Sequence, residues 1–271
     1  SYLPLSNISG TTFTWTRDVI TNISNPAGAG SGTINELLTN TSTTTVSVTY
    51  RIVLTTSVGC SNIATIVVDV APIPGAASAI IGAQRACDGS SGNVYTVAPI
   101  LNATSYIWTL PNLSIVSTIT NSITINYPVG GVSGNLRVLG RNACGDGLAS
   151  SIPITIIPPP ILSSSLTPPA VCSDSSFSYT ATSNSSSSFS WTRNAIAGII
   201  NPYQAGTNNI TETLINTTSS PIEVIYTYTL KTASPESCVN TQNVSVTINP
   251  LPTLISSLTP PTTCSGSNFS Y

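Results

Sequence analysis

Residues 162–179 read LSSSLTPPAVCSDSSFSY, and residues 254–271 read LISSLTPPTTCSGSNFSY. The two stretches align without a gap at an offset of 92. A second match, at an offset of 176, carries Phe13-Thr-Trp15-Thr-Arg17 onto Phe189-Ser-Trp191-Thr-Arg193 and Asn25-Pro26 onto Asn201-Pro202. At the same offset Ile34 and Glu36 fall on Ile210 and Glu212, Asn40-Thr41 on Asn216-Thr217, and Tyr50 on Tyr226. Between them lies a shorter cousin, with Cys87, then Tyr106-Ile-Trp108-Thr-Leu110-Pro111, then Asn142-Ala-Cys144-Gly145. Self-similarity of this kind marks an array of like units. The expected layout is a domain over 1–72 that lacks its first strand, a complete short domain over 73–158, a complete longer domain over 159–250, and the first strand of a following repeat over 253–271. Both ends fall inside strand-like sequence, so the chain reads as a piece of a longer protein. The joints Ala71-Pro72-Ile73-Pro74, Pro158-Pro159-Pro160 and Asn249-Pro250-Leu251-Pro252 are proline-rich. Proline fixes φ and withholds a donor, so the joints are expected to be short, extended and stiff. Beads on such joints would form a linear rod.

Each bead reads as all-β. Val46, Val48, Tyr50, Ile52 and Leu54 alternate with polar or smaller residues, and Val224, Tyr226, Tyr228 and Leu230 repeat the pattern. Shorter versions are Val244/Val246/Ile248, Ile123/Ile125/Tyr127 and Ile152/Ile154/Ile156. Period two in β-branched and aromatic residues is the signature of a half-buried strand. Turn-forming clusters such as Ala27-Gly-Ala-Gly-Ser-Gly32 separate the runs. No helical period stands out. The expected fold is a tandem series of immunoglobulin-like antiparallel β-sandwiches. Ser and Thr supply 82 of the 271 residues, which keeps outer strand faces polar without charge.

Composition excludes most chemistry. Seven Lys and Arg stand against nine Asp and Glu, only 6% of residues are charged, and there is no His and no Met. A His acid/base, a His-ligated metal and a Ser-His-Asp triad are therefore excluded. The absence of a basic cluster argues against nucleic acid as a partner. No apolar run approaches the roughly 20 residues of a membrane-spanning helix. Lys231, the one lysine, sits in a strand-like run without a nucleophile motif. The acids are scattered. Asp18, Asp69 and Asp174 are too isolated for a calcium site, and Asp88-Gly89 and Asp146-Gly147 read as turns. No enzyme activity, cofactor or metal is expected.

Three residue sets remain. Cys87 and Cys144 flank Trp108, and Cys172 and Cys238 flank Trp191. That order is the one in which immunoglobulin-like domains pack an inter-sheet disulfide on a buried Trp. It leads to the expectation of Cys87–Cys144 and Cys172–Cys238 bridges, each closing about 60 residues and stabilising by roughly 4 kcal/mol in the chain-entropy model. Buried free thiols are the alternative. Cys60 stands where Cys238 stands and Cys264 where Cys172 stands, so each would complete the other across a boundary between copies. Six cysteines point to an oxidising compartment. Trp15, Trp108 and Trp191 lie in alternating strands and read as core residues rather than a sugar platform. Arg17 with Glu36, and Arg193 with Glu212, recur at one separation, which makes them candidate ion pairs; two solvated side chains are the alternative. As surface pairs they would contribute on the order of 0–1 kcal/mol.

The stretch Asn102-Ala-Thr-Ser-Tyr-Ile-Trp108-Thr-Leu-Pro111, with Ser133-Gly-Asn-Leu-Arg137 and Arg141-Asn-Ala-Cys144-Gly145, resembles the short PKD-like repeat of bacterial surface proteins. Phe189 to Ile199, Glu212-Thr-Leu-Ile-Asn216-Thr-Thr218 and Tyr226-Thr-Tyr-Thr-Leu230 resemble the longer form. The resemblance implies very large, repetitive, Cys-paired adhesins of gliding and related Gram-negative bacteria, which typically carry a C-terminal sorting domain for type IX secretion. Two departures matter. Trp15, Trp108 and Trp191 are each followed by Thr rather than the Asp of the standard W-D-F-G-D motif, and no sorting domain is present in the sequence. The resemblance implies a structural segment of an extracellular fibre or adhesin, at the cell surface or in a secreted filament, that gives reach and mechanical strength. One alternative is a head-to-tail filament in which 253–271 is donated to 1–72 of the next copy. Another is a carbohydrate-binding module using loop residues such as Tyr203. The expected partners are neighbouring repeats or copies of the chain, with surface glycans as a further candidate.

Overall fold

The computed structural model describes residues 1–259 and 262–270. Positions 260, 261 and 271 of the segment expected to be a following first strand lie outside the described residues. The chain divides into two compact units, Ser1–Ile157 and Pro158–Tyr271. The described residues contain strands and turns and no helix.

The first domain is a single four-stranded antiparallel sheet. It comprises β1 (Thr12–Arg17), β2 (Gly28–Ser31), β3 (Val46–Thr55) and β4 (Ser61–Val70), in the order β2-β1-β3-β4. Val48, Tyr50 and Ile52 point inward from β3, as their alternation dictates, and cluster with Trp15, Ile23 and Ile34. Opposite this sheet the facing layer is reduced to two isolated bridges, Tyr2 with Ile34 and Ile23 with Asn40.

The second domain has eight strands: β5 (Arg85–Cys87), β6 (Asn93–Thr96), β7 (Ser105–Thr109), β8 (Ile115–Thr118), β9 (Ser122–Ile125), β10 (Gly134–Asn142), β11 (Gly145–Asp146) and β12 (Ser150–Ile157). The large sheet runs β5-β12-β10-β7-β8 with β11 on β10, and β6 pairs β9 in a small second sheet. Tyr95, Trp108, Leu136, Val138 and Ile154 fill the space between them.

The third domain repeats the plan with longer strands: β13 (Val171–Cys172), β14 (Ser176–Tyr179), β15 (Ser187–Arg193), β16 (Gln204–Thr207), β17 (Ile210–Thr213), β18 (Ile222–Thr232) and β19 (Val239–Asn249). Its large sheet is β13-β19-β18-β15-β16, and β14 with β17 forms the facing pair. Val224, Tyr226, Tyr228 and Leu230 of β18 and Val244, Val246 and Ile248 of β19 are fully buried against Phe177, Tyr179 and Ile210. Burying side chains of this size stabilises by about 1.5–3 kcal/mol each. In both complete domains the first strand joins the last in parallel, β5 on β12 and β13 on β19.

The glycines of β2 and β16 are there to admit a ring. Trp15 is paired with Gly30 and Trp191 with Gly206. A Cβ on Gly30 would come within 2.7 Å of the Trp15 indole, and one on Gly206 within 2.6 Å of the Trp191 indole. Gly206→Val should therefore push Trp191 from its position. We expect urea denaturation to show a loss of about 1–3 kcal/mol, the usual range for overpacking a tight site. An unchanged midpoint would show that the indole does not depend on that approach.

Candidate functional site

Arg17 follows Trp15 by two residues and so shares its inward face. Its side chain is 1% exposed. Nε donates to Glu36 Oε2 at 2.8 Å and Nη2 to Glu36 Oε1 at 3.0 Å. Nη2 also donates to the Pro26 carbonyl at 2.6 Å, Nη1 to the Asp18 carbonyl at 3.1 Å, and the Tyr50 hydroxyl donates to Glu36 Oε2 at 2.6 Å. The third domain builds the same node. Arg193 donates to Glu212 at 2.9 and 3.1 Å, to the Pro202 carbonyl at 2.8 Å and to the Asn194 carbonyl at 3.2 Å, and the Tyr226 hydroxyl donates to Glu212 at 2.5 Å. These are not surface pairs. The guanidinium is covered, bidentate to the carboxylate and makes four hydrogen bonds in all, the condition under which a buried charge is tolerated. Arg17 holds the Glu36 carboxyl below the usual carboxylate range, and Glu36 in turn raises Arg17. Burial first, and then Glu36, push the Tyr50 hydroxyl up to about 12. The recurrence that flagged Arg and Glu also carries Tyr50 and Tyr226, and that repeat is the signal by which the third member could have been found.

A second polar node recurs beside it. Asn40 Nδ2 donates to the Thr44 and Val70 carbonyls, both at 2.7 Å. Asn216 Nδ2 donates to the Ser220 and Ile248 carbonyls at 2.8 and 2.9 Å. Each amide ties a loop to the end of the last strand. Trp15 and Trp191 are core residues with buried indole nitrogens, and Trp108 Nε1 donates to Thr118 Oγ1 at 3.2 Å.

The cysteines depart from expectation. Cys87 and Cys238 are disulfide-bonded, while Cys60, Cys144, Cys172 and Cys264 are free and exposed. The bridges Cys87–Cys144 and Cys172–Cys238 therefore do not form. The reason is strand length. Cys172 is paired with Asn249 at the last position of β19, and Cys238 immediately precedes its first, Val239. The two stand about 35 Å apart at ~3.3 Å per residue, whereas a disulfide needs Cα atoms within about 4–7 Å. Cys87 is likewise paired with Ile157 at the end of β12, while Cys144 lies in the turn after β10, whose pairing runs from Gly134–Ile154 to Val138–Ser150. Each complete domain thus carries its first cysteine at the pole where the chain leaves. The second cysteine lies at the pole where the chain arrives: Asn240, two residues after Cys238, donates to the Pro160 carbonyl at 2.9 Å, and Asn142, two before Cys144, donates to the Pro72 carbonyl at 3.0 Å.

The first domain exposes a face that the third covers. The β3–β4 register, Val48 with Val68, matches Val224 with Val246. Yet Val68 is 39% exposed and Val246 is 0% exposed. In the third domain residues 162–179 supply the cover. Ser245 donates its amide to the Leu166 carbonyl at 2.9 Å, Ser173 donates to the Asn249 carbonyl at 2.8 Å, and Phe177 is buried in the core. In the first domain the same position is a trough. Cavities of about 500 and 190 Å³ share Glu36, Leu38 and Val68, and the larger extends past Val70 and Ala71 to Ile73 and Cys144.

Two further charged sites hold turns in the second domain. The Asp88 carboxylate accepts from the Gly130 and Gly131 amides at 3.0 and 2.9 Å, which holds it below the usual range. Arg141 pairs with Asp146 on the surface at 2.5 and 2.8 Å. Among the described residues no group of three or more His, Cys, Asp or Glu gathers to hold a metal ion. No helix of the described residues is long and apolar enough to cross a membrane.

Sandwiches of a large and a small antiparallel sheet, with a parallel first strand and repeated buried nodes, define a tandem array of immunoglobulin-like domains. Two family models, each described as a PKD-like domain, match the chain, one over residues 72–154 and the other over residues 3–74 and 169–252. The chain belongs to the PKD-like domain family. No curated protein matches it. Among solved structures, the N-terminal eight immunoglobulin domains of Down Syndrome Cell Adhesion Molecule are 15% identical, covering 89% of this chain and 32% of that one, with a TM-score of 0.41. This chain spans about a third of that structure. A three-immunoglobulin segment of titin is 11% identical over 90% of this chain and 89% of its own, with a TM-score of 0.37. The three N-terminal domains of the bacteriophage RB49 outer capsid protein Hoc are 11% identical over 90% and 89%, with a TM-score of 0.39.

The node sets a pH profile. The Glu36 carboxyl is held below its ordinary 4.5, so its contribution is complete above that value and is lost as pH falls through the folded value. The Tyr50 hydroxyl is raised from 10.0 to about 12, so its contribution is lost as pH climbs between the two. Hydrogen exchange of the β1–β4 amides should show the first domain weakening in both windows. Glu36→Gln should remove the acid dependence and, by leaving Arg17 covered without its carboxylate, destabilise by about 3–5 kcal/mol.

Proposed function

We propose that the chain is a structural segment of an extracellular fibre or adhesin, built to span distance and carry load rather than to catalyse. One observation carries this reading above the others: each complete domain takes the chain in at one pole and releases it at the opposite one, with proline-rich joints between units. A chain threaded in this way transmits a pull through every domain in series. PKD-like domains of immunoglobulin type are typically extracellular, and the disulfide-bonded Cys87 and Cys238 fit an oxidising compartment. The supply of catalytic side chains supports the same conclusion: there is no His and one lysine, and Arg17, Arg141 and Arg193 are engaged with Glu36, Asp146 and Glu212. Kinship with the surface adhesins of gliding bacteria, and export by the type IX route, are part of this proposal and rest on the motif resemblance. Repeats that contact chiefly their neighbours have nearly additive stability along the array, which suits a component that must lengthen by duplication.

Single-molecule extension tests the reading. With its disulfide reduced, the full chain pulled from its two ends should unfold in discrete steps. Loss of the third domain alone should release about 300 Å of contour, from roughly 90 residues at ~3.4 Å each. Smooth entropic stretching without force peaks would rule out a load-bearing role. A glycan array that captured the chain with micromolar affinity would favour a binding module instead.

A further inference from the structure

We propose that the open edge of β8 in the second domain is an interface between copies of this chain, at which β8 pairs antiparallel with β8 of a second copy about a two-fold axis at Ser117. This sideways association goes beyond the load-bearing reading and does not rest on it.

The edge follows from the ladder. β8 closes one side of the large sheet, and among the described residues it pairs with β7 alone. Trp108 stands opposite Val116 and Tyr106 opposite Thr118. In the same register the Leu110 amide donates to the Ser114 carbonyl at 2.8 Å. Bonding alternates along an antiparallel strand, so Ser114, Val116 and Thr118 are the residues bonded to β7. The amides and carbonyls of Ile115 and Ser117 therefore point away from the sheet. The side chains sort in the same way. Val116 packs on the core and Thr118 accepts from Trp108, whereas Ile115 is 71% exposed and Ile119, directly after the strand, is 88% exposed.

This edge differs from its counterparts. In the first and third domains the same position is held by β2 and β16, which read Gly-Ala-Gly-Ser and Gln-Ala-Gly-Thr. β8 reads Ile-Val-Ser-Thr. Open edges are ordinarily guarded by a charge or a proline. Residues 114–120 carry neither, and no charged residue stands between Asp88 and Arg137. Such an uncharged, β-branched stretch without proline or glycine is suited to pairing with another strand.

The sequence also selects the occupant. Residues 114–120 read Ser-Ile-Val-Ser-Thr-Ile-Thr, a pattern of small polar and β-branched residues that is the same in both directions about Ser117. A two-fold interface requires a surface that complements itself in this way. With the axis at Ser117, that residue faces the partner's Ser117, Ile115 faces the partner's Ile119, and Val116 faces the partner's Thr118. The outward-pointing backbone groups of Ser117 then meet their equals, with Cα atoms about 5.5 Å apart. The isoleucine pairs form on the exposed face, twice by symmetry. A shift of two residues would set each Ile115 against a serine. With no charge on either edge, nothing repels the second copy.

The experiment is sedimentation equilibrium of the full chain, with the free cysteines alkylated so that no new disulfide forms. Protein is taken up to about 1 mM, because an interface this small binds weakly. The mean mass should climb from 27.9 kDa toward twice that value. Ser117→Lys and Ser117→Glu alter an exposed side chain and leave the bonds to β7 in place. Each sets like charges face to face and should lower the association constant at least tenfold. An equimolar mixture of the two variants should recover it, because position 117 meets only itself. A mixture that associates no better than either variant overturns the Ser117 register. Association that survives both substitutions, or none in the unsubstituted chain, overturns the interface. Hydrogen exchange reads the pairing separately: the Ile115 and Ser117 amides should slow at least threefold between dilute and concentrated samples, and unchanged exchange overturns it. None of these measurements involves force, so failure here is distinguishable from failure of the load-bearing reading.

Discussion

The ten-rung antiparallel ladder between β18 and β19 determines where everything else in the third domain can stand. It carries seven fully buried side chains on one face, against which the small sheet closes. Because it runs unbroken from one pole to the other, groups attached to its two ends are too far apart to react with each other. The first domain has an equally long ladder, β3 with β4, although it lacks most of the layer that should lie over it. One feature of the molecule descends from this constraint: cysteines placed at the strand ends lie at opposite poles of a domain rather than facing each other across the core.

Within each longer domain the Arg–Glu–Tyr node does what a chain with so few charges can do only sparingly. It links the large sheet to the facing layer through one guanidinium that donates four hydrogen bonds to a carboxylate and two backbone carbonyls. Hydrophobic contacts favour closure of the layers but do not choose a register. A bidentate pair with a third ligand does, since a slip of one residue would turn Arg193 to solvent and leave Glu212 covered and alone. Among the described residues, the second domain is braced instead by a pair of tyrosines. Its Tyr95 and Tyr127 hydroxyls lie 3.0 Å apart, with Tyr95 also bonded to the Ala83 carbonyl, and burial raises Tyr127 well above its ordinary range.

Much of this was legible in the sequence. Alternation at Val48, Tyr50 and Ile52 and at Val224, Tyr226 and Tyr228 gives the inward faces directly, and the offset of 176 aligns the first domain with the third from Phe13 to Tyr50. The Arg–Glu pairs were visible as a recurring separation, though their burial was not, because separation along the chain says nothing about cover. The cysteine pairing misled for a related reason. The order Cys…Trp…Cys is one-dimensional and is shared by domains that bridge across the core and by domains that place sulfurs at opposite poles. Deciding between them requires the ladder, and in particular the pairing of Cys172 with Asn249 and of Cys87 with Ile157. The glycines opposite Trp15 and Trp191 were equally silent, since a glycine in a turn-rich stretch does not announce the ring stacked against it.

The parallel union of first and last strands has a mechanical consequence. In the third domain Val171 and Cys172 lie beside Ile248 and Asn249, with both strands running the same way. When the chain is drawn taut, the incoming strand is dragged backwards and the outgoing one forwards along their common boundary. Their bonds are loaded side by side and must fail together, unlike a hairpin peeled open from its tip, where they break one after another. A clasp of a few residues in this geometry can hold far more than its length suggests, and it does so only along the direction in which the polypeptide is threaded.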